Sequence, residues 1–441
     1  MEEPGYYDIR HVKGVITNIE IDNGVVESAT DSFSDTAILR VLGDKGWGIA
    51  SIENFGSKTK KEIDEYISVA LRYASATQET VTLADCKSGI LPMPKLNEDP
   101  KEVSLEEKCG LLMEIERAAH IKNIINTRAN YTEGNATVYF EDSSENTFSY
   151  EICRSGYSVS AVAKKDGVMQ AGRESERTIT GFNLRHKEEK GLLAAERAVS
   201  LLDAKPAKGG IMDAVLDQEL AGVFAHEAVG HASEGDLVKE GISVLRGKTD
   251  QKIGSDIISV VDDPTIHEFG FMPVDAEGVL PVRTEIIKNG VLKSFLHNRQ
   301  TLAAVGFGDA GHARGEAGAV PVVRMSNTFI ENGDSSYDEI ISECRNGILL
   351  KGSRGGQVDP GRGVFQFNAE YGYIIENGEL SGMVRDVSLS GDILKTLYNI
   401  VLCAQDKKMN PGYCGKSGQS VPVTDGSPHL LLNSAVIGGQ G

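Results

Sequence analysis

The chain has 441 residues, of which 40% are hydrophobic and 25% charged, and it carries a formal net charge of −19. This length predicts two or three domains, and the composition is that of a soluble globular protein. The acidic charge, with no basic stripe, argues against a nucleic-acid partner, and no apolar run approaches the roughly 18 residues that a membrane-spanning helix needs.

The cellular compartment is predicted from the N-terminus and from the cysteines. Residues 1–14, MEEPGYYDIRHVKG, are acidic and lack the apolar segment of a secretory signal. The cysteines are widely spaced and form no CxxC pair, as expected of free thiols in a reducing compartment. They are Cys86, Cys109, Cys153, Cys344, Cys403 and Cys414. We therefore expect a cytoplasmic protein that does not bind a membrane.

The first predicted domain covers residues 1–95. Residues 6–28 alternate between apolar and polar side chains around Asn23-Gly24, which predicts a β-hairpin. Residues 60–77 carry apolar side chains at helical spacing. Residues 88–101 contain three prolines and no periodicity, so we interpret them as a linker.

The second predicted domain covers residues 100–207 and combines helices with strands. Ser104 begins a helix with the capping-box sequence Ser-Leu-Glu-Glu, and the helix is predicted to continue to residue 126. The further predicted elements are strands at residues 136–142, 147–154 and 157–167 and a helix at residues 184–202. The sequence DAKPAKGG closes this unit.

The third predicted domain covers residues 208–441 and consists mostly of strands. Asn289-Gly290 and Asn377-Gly378 each predict a hairpin turn. The glycine-dense run at residues 352–367 lacks the Lys-Ser/Thr ending of a phosphate-binding loop, so strand turns are the better interpretation.

The predicted fold class is α+β. N-terminal and central α/β segments precede a strand-rich C-terminal domain, which carries a helix with the sequence HExxxH. A last helix is predicted at residues 389–407, with Cys403 on its apolar side and its end at Asn410-Pro411-Gly412. Cys414 then follows in a flexible glycine loop.

The stretch FAHEAVGHASEGD places His226, Glu227 and His231 close together. Two histidines at i and i+5 are roughly 140° apart on a regular helix, so they cannot both face one metal ion. A π-type turn of about 4.4 residues brings the two rings to within roughly 50° of each other. Gly230 makes this distortion easier. We therefore predict a π-bulge or a helix break between Ala228 and His231.

These residues suggest a peptidase zinc site. Such a site needs three protein ligands, an open position for water and a nearby carboxylate that accepts a proton. His226 and His231 supply two ligands, and Glu227 stands where HExxH enzymes have their general base. Cys414, beside Lys416, is the best-placed thiol for the third ligand. The alternative is a cap contact, a surface histidine and an inert loop thiol.

Other polar side chains near the motif have two interpretations. Glu234 and Asp236 either orient the histidines as outer carboxylates or are charges at a fraying helix end, and the second interpretation is the simpler one. His312, in the glycine-rich loop GDAGHARGEAG, is a reserve candidate for the lining of a pocket.

Several blocks of sequence carry a family resemblance. HEAVGHASEGD is followed in order by VDAEGVLPVRTEIIKNGVLKSFLHNRQT, VRMSNTFI, GGQVDPGRGVFQF and CGKSGQSVPV, over residues 210–436. This succession resembles the TldD branch of the TldD/PmbA metalloprotease family. The resemblance implies a zinc peptidase in which His226, His231 and Cys414 bind Zn²⁺ and Glu227 acts as the base.

The resemblance also implies partners and substrates. Family members are α+β proteins of three segments that dimerise, so we expect a homodimer or a heterodimer with a TldE/PmbA-type paralogue that lacks the motif. The implied substrates are unfolded peptides or small proteins. The physiological substrate, the cleavage preference and the choice between the two dimers are left open.

Two other functions remain as alternatives. One is a non-catalytic metal-binding partner subunit, although such a subunit has no use for Glu227. The other is a peptide-binding or interaction protein whose histidine pair is incidental. Residues that stabilise an oxyanion are also left open, with Arg314, Arg324 and His312 as candidates.

Overall fold

The computed structural model describes residues 5–439, so residues 1–4 of the first predicted domain and residues 440–441 of the last lie outside the described chain. The first part forms three antiparallel strands and one helix. They are β1 (Tyr6–Asp22), β2 (Val25–Gly43), β3 (Gly46–Glu53) and α1 (Lys60–Ala76). The predicted hairpin is confirmed, with Asn23 and Gly24 both at positive φ in its turn.

The middle part forms three more antiparallel strands between two helices. The elements are α2 (Leu105–Ala118), β4 (Ile124–Asp142), β5 (Thr147–Lys165), β6 (Val168–Thr178) and α3 (Glu188–Asp203). Ser104 caps the start of α2 as predicted, because its side chain accepts a hydrogen bond from the Glu107 N–H, but the described residues lack the reciprocal Glu107 contact that completes a capping box. The predicted extension of α2 to residue 126 is wrong, since Ile124 already begins a strand that pairs with β5.

The first two predicted domains share one sheet, whose strand order is β3-β2-β1-β4-β5-β6. β1 pairs along nearly its whole length with β2 on one side and with β4 on the other. Helix α1 packs against β2 and β3, whereas α2 and α3 pack together and cover β4, β5 and β6. The helices therefore enclose separate apolar cores at the two ends of the sheet.

The C-terminal part contains most of the strands. Its elements are β7 (Lys205–Pro206), β8 (Gly210–Leu216), α4 (Gln218–Phe224), α5 (Gly235–Glu240), β9 (Val260–Asp262), β10 (Thr284–Lys288), β11 (Val291–Leu292), β12 (Leu296–His297), α6 (Arg299–Val305), β13 (Asp309–Ala310), β14 (Ala313–Arg314), β15 (Val322–Val323), β16 (Asn327–Ile330), α7 (Tyr337–Cys344), β17 (Gly347–Lys351), β18 (Gly356–Asp359), β19 (Val364–Asn368), β20 (Tyr371–Glu376), β21 (Glu379–Arg385), β22 (Ser388–Asp392), α8 (Ile393–Asn399), β23 (Ile400–Cys403), β24 (Lys408–Lys416), β25 (Gln419–Ser427) and β26 (Leu430–Gly438).

Two of its sheets enclose α4. One sheet has the order β11-β10-β9-β16-β25-β24, and the larger one runs β18-β19-β22-β26-β8-β17-β20-β21-β7. Helix α4 contacts β16, β24 and β25 of the first sheet and β8 and β17 of the second. Leu220 and Phe224 are fully buried in this layer, within the largest apolar core of the described chain. The HExxxH motif therefore follows a helix that is held between two sheets.

The strand-rich C-terminal part and the α+β class are confirmed, but the last predicted helix is wrong. Residues 388–403 form β22, the short helix α8 and β23 in turn. The Asp392 side chain accepts a hydrogen bond from the Lys395 N–H, so it fixes the start of α8 inside the predicted helix. Cys403 accordingly lies in β23, whose apolar residues pair with β26.

The predicted flexible loop around Cys414 is also wrong. Asn410 to Gly412 and Cys414 all lie in β24, which pairs residue by residue with β25. The glycine at position 418 and Ser417, both at positive φ, form the two-residue turn between these strands. Cys414 is 4% exposed. Among the residues that the structure describes, no helix combines the length and the apolar character needed to cross a membrane.

Candidate metal centre

The two motif histidines converge because the helix that carries them changes type. Asp217 caps α4 by accepting a hydrogen bond from the Leu220 N–H at 2.9 Å. The chain then continues as a π-helical turn, Ala225–Gly230, and as a 3₁₀ turn, His231–Ser233. The predicted π-type distortion is therefore present, although it starts before Ala228. The rings of His226 and His231 have centroids 5.2 Å apart and are nearly perpendicular, at 88°.

Gly230 is needed for close packing rather than for an unusual backbone conformation. Its φ and ψ of −58° and −57° are ordinary helical values. A Cβ atom at this position would lie 1.9 Å from the Met325 sulfur. A side chain at position 230 would therefore push the motif away from the segment that precedes β16.

Cys414 reaches the histidines from the edge strand β24. Its Sγ lies 3.5 Å from the His231 Nε2, across 183 residues of sequence. One ligand atom from each of His226, His231 and Cys414 lies within 4.8 Å of the other two. No other group of three His, Cys, Asp or Glu side chains in residues 5–439 converges in this way. The structure thus brings together the three residues that the sequence singled out.

The thiol and the imidazoles stabilise each other's charged forms. Burial raises the pKa of Cys414, but hydrogen bonds and charge interactions with His226 and His231 outweigh it and lower this pKa to about 4. Burial opposes charge on His226 too, yet the Cys414 thiolate raises the pKa of His226. The predicted influence of Lys416 is not needed for the thiolate, since that lysine binds two carboxylates instead.

Glu234 connects this lysine to His231. Its buried carboxylate lies 3.1 Å from the His231 Nδ1 and accepts a hydrogen bond from the Lys416 Nζ at 2.9 Å. Lys416 also donates to Asp236 at 2.7 Å and to the Val323 carbonyl at 3.0 Å. The simpler interpretation of the two carboxylates as fraying-end charges is therefore wrong. Glu234 fixes the His231 ring with its Nε2 toward Cys414.

We expect Glu234→Gln to weaken zinc binding by about 10- to 100-fold, because an amide orients the imidazole less firmly than a carboxylate. Competition with a chromophoric chelator measures this change. Asp236→Asn is the matched control, since it removes a Lys416 contact but none to His231. Equal zinc affinity in the two variants would show that Glu234 does not orient the ring.

The donor set suits a zinc ion. Two imidazoles and a thiolate are ligands that Zn²⁺ takes in proteins, and with three of them one position stays open. His226 is 5% exposed, and its Nδ1 is buried with no hydrogen-bond partner among the described residues. Such a buried and unpaired nitrogen is rare in a folded chain that binds nothing.

Glu227 borders the cluster on its open side. Its side chain is 32% exposed, and its Oε2 lies 3.8 Å from the His231 Nε2. The sequence prediction placed a proton-accepting carboxylate here, and the side chain is near enough to serve a group bound at the cluster. Its partial exposure leaves a route for water.

The candidate oxyanion residues lie deeper and are engaged in other contacts. Arg324 is fully buried and donates a hydrogen bond to the Cys414 carbonyl. Arg314 donates to two main-chain carbonyls, at 2.5 Å and 2.6 Å. His312 is fully buried, with its Nε2 3.6 Å from an Asp262 carboxylate oxygen, and it does not belong to the His-Cys cluster.

A buried acidic group behind the cluster escaped the sequence analysis. Burial, reinforced by Glu370, Asp217 and Asp425, raises the pKa of Glu219 to about 7. Burial also raises the pKa of Asp425 to about 7, although His226 opposes this effect. Asp425 comes from β25, about 200 residues after the motif, so no local pattern reveals that it lies near His226.

The raised pKa of Glu219 predicts that stability depends on pH. In the folded chain the Glu219 carboxyl stays protonated up to about pH 7, whereas in the unfolded chain it ionises near its ordinary pKa of 4.5. The free energy of unfolding therefore falls as the pH rises between these two values. Glu219→Gln removes the effect and should stabilise the protein by up to about 3 kcal/mol at about pH 8. At about pH 4 the substitution should change little.

Urea unfolding at both pH values, with chelator present, measures this difference. Glu379→Gln, which replaces an exposed carboxylate of the same domain, is the control. If Glu219→Gln shifts the midpoint equally at the two pH values, Glu219 is not the group that titrates.

A cavity within the described chain lies away from this site. It has a volume of about 840 Å³ and is lined by β1, β2, β4 and β5 residues together with the segment that precedes α2. None of the cluster residues lines it. The chemistry of the donor set, rather than cavity size, identifies the candidate centre.

Three family models match the chain in succession. They describe PmbA/TldA metallopeptidase domain 1 at residues 7–74, the central domain at residues 98–202 and the C-terminal domain at residues 209–439. The last of these domains contains all three residues of the cluster.

Relatives and a solved structure are similar over long stretches. A metalloprotease of Archaeoglobus fulgidus is 39% identical, over 98% of this chain and 99% of that protein. A zinc metalloprotease TldD homolog of Saccharolobus solfataricus is 33% identical, over 55% of each chain. TldE from Thermococcus kodakarensis has the same fold, with a TM-score of 0.80, 20% identity, and 99% of this chain and 97% of that one covered.

Proposed function

This chain belongs to the TldD/PmbA family of metallopeptidases, and from that premise we propose that it is a zinc-dependent peptidase acting on unfolded peptides or small proteins. His226, His231 and Cys414 are the proposed zinc ligands, and Glu227 is the proposed general base. The convergence of these ligand atoms within 4.8 Å carries the proposal. A solely structural zinc would not need a carboxylate on its open side.

Each residue around the site has its own role in the proposed reaction. When bound, zinc would supply Lewis acidity to the scissile carbonyl and lower the pKa of the attacking water. Glu227 accepts the proton of that water and returns it to the leaving amine. Glu234 holds the ring of His231, and Lys416 holds Glu234. Cys414 donates more charge than a third imidazole would, so we expect slow hydrolysis.

The substrate backbone has a free strand edge available beside the site. β24 ends its sheet, so one of its sides is unpaired. Thr424 is paired with Pro411, but its N–H points away from β24 and donates to the Ser326 carbonyl. Pro411 and Thr424 therefore form a non-hydrogen-bonded pair. Hydrogen-bonded and non-hydrogen-bonded pairs alternate along antiparallel strands. Tyr413 and Gly415 therefore direct their N–H and C=O groups toward the free edge.

An extended peptide paired with this edge would pass directly beside Cys414. Strand addition uses main-chain hydrogen bonds, so it accepts many sequences but requires an extended chain. In a folded protein most strand edges are already paired or protected, so few extended segments are able to pair with this edge. This geometry favours unfolded polypeptide as the substrate class.

We expect the zinc-loaded protein to cleave a chemically unfolded polypeptide at least about tenfold faster than its native form, because only the unfolded form supplies extended chain. Fragment analysis by mass spectrometry, with and without chelator, measures both rates. Native protein that is cut as readily as its unfolded form would contradict the proposed substrate class.

The partner and the compartment are further parts of the proposal. We expect a dimer, either of this chain or with a TldE/PmbA-type paralogue, and sedimentation of the isolated chain would distinguish the two. The six free cysteines suit the cytoplasm. An interaction protein with an incidental histidine pair would hold no stoichiometric zinc after extensive dialysis, whereas the proposed peptidase would hold one ion per chain.

A further inference from the structure

One face of the six-stranded sheet carries a row of basic side chains. Arg10 on β1 lies opposite Phe140, which lies opposite Phe148 on β5. Paired residues and residues at even spacing share a face of a sheet. Tyr150 and Arg154 follow Phe148 at even spacing. Arg10, Tyr150 and Arg154 therefore lie on the same face.

Arg177 on β6 extends this row. It is paired with Gly156, and its Cγ would lie 2.5 Å from a Cβ atom at that glycine. Gly156 follows Arg154 at even spacing, so Arg177 shares the face of Arg154. The absence of a side chain at position 156 gives the Arg177 side chain room to lie across the sheet.

This face is turned toward the C-terminal part. Arg10 donates to the Glu316 carbonyl at 3.1 Å, and Arg154 donates to the carbonyls of Phe269 and Phe271 at 3.2 Å and 2.8 Å. Each of these contacts uses a main-chain carbonyl. The guanidinium groups thus meet the C-terminal part without meeting a carboxylate.

The row of arginines continues inward to the candidate metal centre. Arg177 lies 3.4 Å from the Pro411 carbonyl, and its guanidinium carbon is 5.5 Å from the centre of the Tyr413 ring. The buried Arg324 binds the Cys414 carbonyl on the same strand. Together with the buried Arg314, these residues form what we call the arginine cluster: Arg10, Arg154, Arg177, Arg314 and Arg324.

The positive charge of the arginine cluster is not neutralised by pairing. Within residues 5–439, no carboxylate oxygen lies within 4.0 Å of a nitrogen of these guanidinium groups. In contrast, Arg40, Arg185 and Arg197 each bind carboxylates. The Nε and Nη1 of Arg324 are also buried and have no hydrogen-bond partner among the described residues. In a chain with a net charge of −19, unpaired cations so close together are unexpected.

Two buried carboxylates near these side chains are already hydrogen-bonded to other groups. Asp275, whose charge raises the pKa of Tyr150, accepts hydrogen bonds from main-chain N–H groups, including that of Val279 at 2.9 Å. Asp262, whose negative charge favours the charged form of Arg314, accepts hydrogen bonds from the hydroxyl groups of Ser326 and Thr328. Burial lowers the pKa of Arg10, Arg154 and Arg177, as expected for guanidinium groups that lack a compensating anion.

We propose that the arginine cluster binds carboxylate groups of the peptide substrate, so that the centre prefers acidic peptides or a free C-terminus near the cleavage point. This inference rests on the proposed peptidase function. A chain paired with the free edge of β24 passes Tyr413, over which Arg177 lies. Guanidinium groups bind carboxylates through two parallel hydrogen bonds, which water and main-chain carbonyls replace only in part.

The two sources of a carboxylate can be separated with four peptides of one length. The peptides carry either Glu or Gln at the variable positions, and either a free or an amidated C-terminus. Fluorescence anisotropy with zinc-loaded Glu227→Ala protein measures their binding without cleavage. We expect each favourable carboxylate to lower the Kd about tenfold at low salt, in line with hydrogen bonds to charged groups.

Substitutions in the cluster should remove this preference. Arg177→Gln should reduce the difference between the Glu and Gln peptides to about twofold or less, whereas Arg177→Lys should keep part of it. Arg10→Gln, on a different strand, gives a second test if Arg177→Gln melts early. Arg72→Gln, an exposed arginine on α1, is the matched control and should leave all four Kd values unchanged.

The outcomes separate this inference from the peptidase function. If all four peptides bind equally, or the preference survives Arg177→Gln and Arg10→Gln in folded protein, the arginine cluster is not a carboxylate site. If the wild type cleaves all four with equal kcat/KM, the inference fails while the peptidase function stands. Selective binding without any cleavage would support the arginine cluster and contradict the peptidase function.

Discussion

Glu227→Ala is expected to abolish detectable cleavage of unfolded polypeptide while the zinc content stays near one ion per chain. A positioned general base contributes about 10²- to 10⁴-fold to the rate, and alanine offers no substitute for the carboxylate. The three proposed ligand side chains remain unchanged, since Glu227 itself does not belong to the ligand group. Elemental analysis and a peptide-release assay on one preparation measure both quantities.

Glu240→Ala is the control, because this exposed carboxylate lies on α5 close to the motif in sequence. It should keep both zinc and activity. If Glu227→Ala retains activity above a few per cent, the proposed mechanism is wrong, because some other group must accept the proton. If zinc is lost together with activity, Glu227 supports the metal site rather than the reaction alone.

The convergence of His226 and His231 was predictable because their unusual spacing has few structural solutions. Two histidines at i and i+5 can converge only if the helix changes type, and the π turn at Ala225–Gly230 is that change. The role of Gly230 was not predictable in the same way. Its lack of a side chain is explained by Met325, which comes from a segment that no local pattern connects to the motif.

The environment of Cys414 was mispredicted because glycines occur both in turns and in edge strands. In GYCGKSGQ, Gly412 was predicted to end a helix, and the glycines around Cys414 were predicted to form a flexible loop. Only Gly418 lies in a turn, whereas Gly412 and Gly415 lie in an edge strand whose partner is β25. Strand pairing is a non-local interaction, so the single-residue pattern gave little information about it.

The arginine cluster shows what sequence patterns omit altogether. Its members come from β1, β5, β6 and the segment around β14 and β15, and none lies beside another in the chain. Registers of long antiparallel strands bring Arg10, Arg154 and Arg177 to one face, and domain packing turns that face toward β24. A net charge of −19 gave no indication of a local group of unpaired cations.

Cys414→Ser is expected to reduce the zinc content from about one ion per chain to near zero after dialysis. A serine hydroxyl stays protonated at neutral pH, so the substitution replaces an ionised soft ligand with a neutral weak one. Two imidazoles then hold the ion alone, and two ligands do not make a stable tetrahedral site. Zinc-dependent thermal stabilisation should disappear with the metal, because only a bound ligand shifts unfolding.

Cys403→Ser is the matched control, since it changes another buried cysteine of the same domain, in β23. It should keep its zinc, and any loss of stability should be the same with and without chelator. In the chelated state, Cys414→Ser should melt below the wild type, because the change removes the hydrogen bonds and charge interactions of the thiolate with His226 and His231, so the loss of zinc is judged from the zinc content and from the missing zinc-dependent shift. Stoichiometric zinc in dialysed Cys414→Ser would mean that the third ligand comes from elsewhere, and that the sulfur on the edge strand serves only the packing around the histidines.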